Sequence, residues 1–320
     1  MKSNQDASQE RWPRRNRMWL ATAGTLVAYV LFLQVAFGIP TLVRELAATG
    51  ILPLAAALAL LVMTYVVRCW RVADYFPRET RGRFRRLLRL TLVHNLLNIM
   101  LPLRSGEASF PLLMRSEFGM PLARATAALL FMRLLDLHAL LAAAGIGLVI
   151  GKGGEWWTVV AWLAFLLAPV PLFALKDAIL KMAGRLPERP RVLVDEMGRG
   201  MPVNAMAFLR AWGATLMNWG VKVAVLAWVL RLMDVAPLSA SFGGALGGEL
   251  SSVLPVHAPG GVGTYAAGIV AGTLSFGAAA SPGALEVISK AAVNAHLLIL
   301  ISALLGTGMA ILIAPSKDGA

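Results

Sequence analysis

Six stretches of this chain stay apolar over the thickness of a lipid bilayer, and no other feature constrains its fold as strongly. Residues 18–37, 51–67, 125–150, 156–175, 207–229 and 285–313 each approach or exceed the about 20 residues that cross a hydrocarbon core. Backbone in lipid must satisfy its own hydrogen bonds, which leaves helices or closed barrels. Runs this long, without the inside–outside alternation of barrel strands, predict helices. The expected class is an all-α polytopic membrane protein. Composition agrees, since 58% of the 320 residues are hydrophobic and 15% are charged, a balance outside that of soluble domains.

A formal net charge of +13 would suggest nucleic acid in a soluble protein. Here the basic residues sit in loops between apolar runs, which predicts membrane orientation and contact with anionic lipid, with no nucleic-acid partner. Residues 1–17 form a basic amino terminus with Arg11, Arg14, Arg15 and Arg17. The run at 18–37 is longer than a signal-peptide core and no Ala-x-Ala site follows it, so it reads as an uncleaved first helix. Arg68, Arg71, Arg78, Arg81, Arg83, Arg85, Arg86 and Arg89 crowd the next basic loop, and Lys176 to Arg199 another. The positive-inside rule puts both loops, the amino terminus and the tail at 314–320 in the cytoplasm. The expected location is a multi-pass place in the inner (plasma) membrane. Residues 39–50 read as a short outer loop.

Two stretches break the pattern. Residues 254–265, Leu-Pro-Val-His-Ala-Pro-Gly-Gly-Val-Gly-Thr-Tyr, place prolines and glycines inside an apolar region, where they must interrupt a helix. Residues 90–103 are too short for a comfortable span, and Pro102 and Gly106 break them before 107–118 resumes a helical pattern. Broken backbone at membrane depth survives only where protein covers it or it lines a wet cavity. Both stretches therefore read as re-entrant hairpins, about 90–118 from the cytoplasm and about 238–275 from the outer face.

The hairpins resemble each other. Residues 98–106 parallel 251–260, and Arg133, Asp136 and His138 parallel Lys290, Asn294 and His296 at similar offsets. The chain divides into repeats at 18–153 and 154–313, each with three spans and one hairpin. An odd span count turns the second repeat upside down, the plan of transporters whose sites lie where discontinuous helices meet.

Candidate binding residues follow from that placement. Arg133 and Asp136 lie at i and i+3 on one helix face, where they pair with each other, lock the halves together, or hold a lipid phosphate. Glu107 either contacts a cationic head group or carries a proton, or is an acid favoured at a helix start. Arg104 binds or snorkels. His257 binds a head group or serves as a structural hydrogen-bonding group. Gly260, Gly261 and Gly263 present N–H groups to a phosphate or permit close packing, and Thr264 and Tyr265 add hydroxyls. Lys290 is the basic residue of the last helix and a partner for Glu249. Lys222 and Arg231 are expected to snorkel at helix ends. Cys69 is the single cysteine, which excludes an intrachain disulfide. His94 and His296 lack ligand spacing, so no metal or other cofactor is expected. Phosphate-loop spacing is missing, and Ser105 and Ser251 lack a base-and-acid constellation.

Leu101-Pro102-Leu103-Arg104-Ser105-Gly106-Glu107, Arg133-Leu134-Leu135-Asp136 and the Leu-Pro…Gly-Gly-x-Gly element of 254–263 together resemble the lysylphosphatidylglycerol synthase transmembrane-domain family, also called flippase-like. The resemblance covers roughly 51–313. It implies lipid translocation in a bacterial membrane, with some members moving aminoacylated phosphatidylglycerol and others tied to hopanoid or archaeal glycolipid pathways. The soluble aminoacyl-transferase domain of some members is not part of this sequence. Some relatives read Gly-Thr-Tyr-Glu in the second hairpin, where this chain has Ala266.

The expected function is flipping of a lipid or lipid-linked amphiphile by alternating access at a midplane polar cavity, without enzymatic chemistry. Its partners would be a lipid head group and bilayer lipids, with a lipid-synthesis enzyme and a second copy of the chain left open. The alternatives are a membrane-embedded enzyme on lipid-linked sugar or phospholipid, and a non-transporting member of a lipid-synthesis complex.

Overall fold

The computed structural model describes residue 24 and residues 27–151, 153–183, 188–253 and 258–313. Every regular element among them is helical. Helix α1 (Val27–Ala36) meets α2 (Ile39–Ala48) at 78°. Gly38, at φ 72°, and Pro40 make that corner. The expected loop at 39–50 is therefore mostly helix. Leu42 gives it a buried face against Tyr29, Leu33 and Val293, while Arg44 and Glu45 remain outside the core.

Helix α3 (Ile51–Tyr75) leads through a single turn to α4 (Phe84–Met100), a 3-10 segment (Pro102–Ala108) and α5 (Ser109–Phe118). Then come α6 (Leu122–Gly151), α7 (Trp156–Leu167), α8 (Pro169–Ala174), α9 (Lys176–Ala183) and α10 (Glu188–Arg199). The chain continues with α11 (Ala205–Leu232), α12 (Leu238–Val253), a 3-10 turn (Pro259–Gly261), α13 (Thr264–Ser275) and α14 (Pro282–Leu312). Helices α3, α6, α11, α14 and the run Trp156–Ala174 are long and apolar enough to cross a membrane, and the bent α1–α2 pair is a further candidate. The protein is a multi-pass, all-helical membrane protein. Local chemistry sets the helix starts: the Asn204 side chain accepts from the Ala207 N–H at 2.8 Å, and Ser281 caps α14 ahead of Pro282.

Charge distinguishes the two ends of the bundle. At one end Arg124 pairs with Glu79 at 2.6 Å and donates to the Arg199 carbonyl, while Arg210 pairs with Asp74. These bonds gather the loops after α3, α5 and α10. The far end collects Glu45, Asp234 and Lys290 around one cavity.

The two interrupted regions fold as helical hairpins. Glu117 near the end of α5 pairs with Arg86 and Arg89 near the start of α4, so the first hairpin starts and finishes at the basic end. Ser239 at the start of α12 donates to the Phe276 carbonyl just beyond α13 at 2.9 Å, and α12 follows directly on the Asp234 end of α11. The tips meet between them: Arg104 Nη1 donates to the Val253 carbonyl. Glycine makes both folds possible. A side chain at Gly106 would run into the Leu97 carbonyl and Asn98 Cα, and one at Gly247 into the Gly268 carbonyl. The second hairpin thus packs backbone against backbone.

Candidate functional site

A chain of alternating charges, buried at Arg71 and Asp136 and half-buried at Arg133, Glu107 and Arg104, runs through the meeting point of the hairpins. Asp136, 1% exposed, accepts from Arg71, from Arg133 at 3.0 Å and from the Trp219 indole at 2.9 Å. Arg133 continues to Glu107 at 2.9 Å, and Glu107 also pairs with Arg104. Arg71 donates in addition to Thr215 at 2.8 Å. Three guanidiniums thus share two carboxylates. Arg104 holds φ 54°, a conformation that costs a non-glycine residue about 1–3 kcal/mol and persists only where its surroundings over-determine it. Here its two bonds, to Glu107 and to the opposite hairpin, fix it.

A second pair stands across the cavity. Lys222 Nζ lies 2.8 Å from Glu249 Oε2 and over the Trp219 ring. The Tyr265 hydroxyl donates to the other Glu249 oxygen at 2.9 Å. His296 joins the site through the Gly260 carbonyl at 2.8 Å and the Tyr29 hydroxyl at 3.1 Å. The cavity between the two groups is about 70 Å³, and among the described residues Arg68, Arg104, Arg133 and Lys222 line it against a single carboxylate, Glu249. Asn98, Ser252, Ile99 and Leu300 are among the other residues that line it.

Among the expected site residues, Arg104, Glu107, Arg133, Asp136, Tyr265, Gly260 and Gly261 come together here. Gly260 and Gly261 hold φ 67° and 71°, left-handed backbone that favours glycine. The Gly261 N–H bonds the Ala258 carbonyl at 2.8 Å and Gly260 offers a carbonyl to His296, so these two atoms serve the turn and not a phosphate. Gly263, at φ 73°, precedes α13 and does not line the cavity. His257, with Leu254 to Val256, lies outside the described residues. Lys290 sits apart, 2.8 Å from Glu286 and 3.2 Å from Glu45. Glu249 therefore pairs with Lys222 and not with Lys290. A larger cavity, about 390 Å³ and almost wholly apolar, lies between α6, α8 and α11; none of the expected site residues lines it.

The profile of one family, described as lysylphosphatidylglycerol synthase TM region, matches residues 19–315. The chain belongs to this family. Comparisons with curated proteins and with solved structures returned no match. The family is membrane-associated and lipid-related, and the first-half signature that carried the resemblance supplies Arg104, Glu107, Arg133 and Asp136.

Three charged residues of this family member occupy places that differ from the expectation. Arg68 and Arg71 were expected in the cytoplasmic loop after a span ending at residue 67, but α3 continues to Tyr75. Val72 and Tyr75 are buried, so the apolar stripe of α3 persists past the charges and carries Arg71, 4% exposed, inward to Asp136. Lys222 was expected to snorkel at a helix end. It lies well inside α11 and is 9% exposed, because Glu249 on α12 offsets its charge. A basic residue within an uninterrupted apolar periodicity was the available signal for both corrections. Arg231, in the last turn of α11, is exposed as expected.

Proposed function

We propose that this protein moves a lipid between the leaflets of the bacterial inner membrane, with the head group held in the polar cavity and the acyl chains in the bilayer. The observation that carries the reading is the meeting of two hairpin tips around a cavity that four cations and one carboxylate line. Discontinuous helices at mid-bundle create such sites in transporters. The four lining cations favour the phosphate of a lipid head, which guanidiniums bind through paired charge-assisted hydrogen bonds.

In this reading the hairpins are re-entrant from opposite faces, and residues 18–153 and 154–313 are inverted repeats whose rocking alternates access. The basic end of the bundle faces the cytoplasm with both termini. The protein acts as a carrier and not as an enzyme. Glu249, hydrogen-bonded to Tyr265, supplies the carboxylate that relatives with an acid after that tyrosine carry one residue on.

The test is flipping of fluorescent phospholipid in proteoliposomes, read by quenching of the outer-leaflet label. Arg133→Ala removes charge-assisted bonds worth about 1.5–3 kcal/mol each, so the rate should fall at least about tenfold with membrane insertion unchanged. Wild-type flipping by correctly inserted Arg133→Ala would reject the site. A chemically altered lipid without any flipping would reject the carrier reading.

A further inference from the structure

Charge balance in the cavity distinguishes among phosphate lipids. Arg71, Arg133 and Arg104 share Asp136 and Glu107, and Lys222 is matched by Glu249. Arg68 bonds the Asn95 amide oxygen at 2.9 Å, and it forms no ion pair with a carboxylate among the described residues. Its Nε is buried without a hydrogen-bond partner, as is the Asn98 side-chain oxygen on the same wall. Among the described residues of this cluster, five cations against three carboxylates leave two positive charges in excess. Charge buried without a counter-charge is strongly unfavourable.

We infer that the cavity is selective for a phosphate carrying two negative charges, the phosphomonoester head of a lipid, over the singly charged phosphodiester of ordinary phospholipids. The inference rests on the reading of this cavity as the head-group site. A dianion brings the cluster to neutrality. A diester leaves one charge uncompensated, and a zwitterionic head leaves two. The cavity is small, about 70 Å³, which suits a compact phosphate head. Arg68, the lining cation without a carboxylate partner among the described residues, and the neutral amide of Asn98 both line the cavity. Ile99, Val253 and Leu300 add apolar surface to the lining.

Thermal stabilisation of the purified protein by short-chain lipids tests this directly. The probes are dihexanoyl phosphatidic acid, dihexanoyl phosphatidylglycerol, dihexanoyl phosphatidylcholine and inorganic phosphate. At pH 8 the phosphatidic acid should bind at least about tenfold more tightly than the phosphatidylglycerol, with the phosphatidylcholine weakest. Because the second ionisation of a phosphomonoester lies near pH 6, the preference should shrink at pH 5, where the two lipids carry the same charge. Arg68→Gln leaves one excess positive charge, so it should weaken phosphatidic acid binding and remove its advantage over phosphatidylglycerol. Arg68→Lys keeps the charge without the planar fork and should retain part of the preference, which separates this effect from misfolding. Equal affinity for monoester and diester at pH 8 would overturn the inference. Inorganic phosphate binding as tightly as phosphatidic acid would overturn the lipid part alone. Flipping assays with the same lipids bear on the carrier reading separately: a monoester preference without flipping leaves the inference standing and removes transport.

Discussion

Lys222 and Glu249 show what a single buried charge requires in this protein. Each sits on an apolar helix, and each is accommodated because the other lies 2.8 Å away. Breaking such a pair from one side typically costs about 3–5 kcal/mol, since the remaining charge stays buried alone. Lys222→Met should therefore lower the unfolding midpoint in detergent markedly, and adding Glu249→Gln should recover most of the loss. If the single and double variants melt together, the pair is not the source of the cost. Recovery of stability without recovery of flipping would assign the pair to the site. At this scale the sequence was only partly legible. The i, i+3 spacing of Arg133 and Asp136 predicted their contact, which is present at 3.0 Å. The partners Arg71, Trp219 and Glu107 come from other elements, and no local spacing encodes them.

Among the elements, the second hairpin depends on the absence of side chains. Gly243 and Gly247 on α12 face Gly272 and Gly268 on α13 so closely that a Cβ on any of them would strike backbone or an adjacent side chain. Without a strong hydrophobic drive between helices in lipid, such close approach is a main source of their attraction. Gly247→Leu should separate the helices and abolish the yield of folded protein. Gly213 and Gly220 in the interior of α11 have nothing within 4 Å of the point where a Cβ would stand; Gly213→Ala should stabilise by up to about 0.5–1 kcal/mol through helix propensity. The yield of folded protein checks the first and the unfolding midpoint the second, and a tolerated Gly247→Leu would remove the close-packing account. The interruptions were readable from Pro102, Gly106 and the Pro/Gly run near 260. The extent of α3 was not, because a helix that carries arginines inward looks like a helix ending in a basic loop.

For the whole molecule, the loops bearing Arg78 to Arg89, Arg124 and Arg199 to Arg210 gather at one end, and Glu45, Asp234 and Lys290 at the other. Helix α11 separates the two by about 40 Å at 1.5 Å per residue. Single cysteines at exposed positions test the orientation, and Cys69 is fully buried and adds little background. Glu155→Cys and Asp234→Cys should react in intact cells with a thiol reagent that does not cross the inner membrane. Arg83→Cys should react only after permeabilisation. The opposite pattern would reverse the protein in the membrane and with it the side from which each hairpin enters.

The amino-acid sequence by itself determined the class, the long helices and the places where two of them break, because length, apolar continuity and Pro/Gly chemistry act locally. It also determined the family, through short signatures in both halves. The tertiary structure alone decided which charges are buried together. Whether an arginine in an apolar helix faces a carboxylate or leaves for the interface depends on which helix packs beside it. Arg68, Lys222 and Glu249 converge on one cavity, with Arg71 beyond it on Asp136, only when α3 and α12 both pack against α11. Their excess of positive charge, and the kind of head group that would neutralise it, emerges only from that packing.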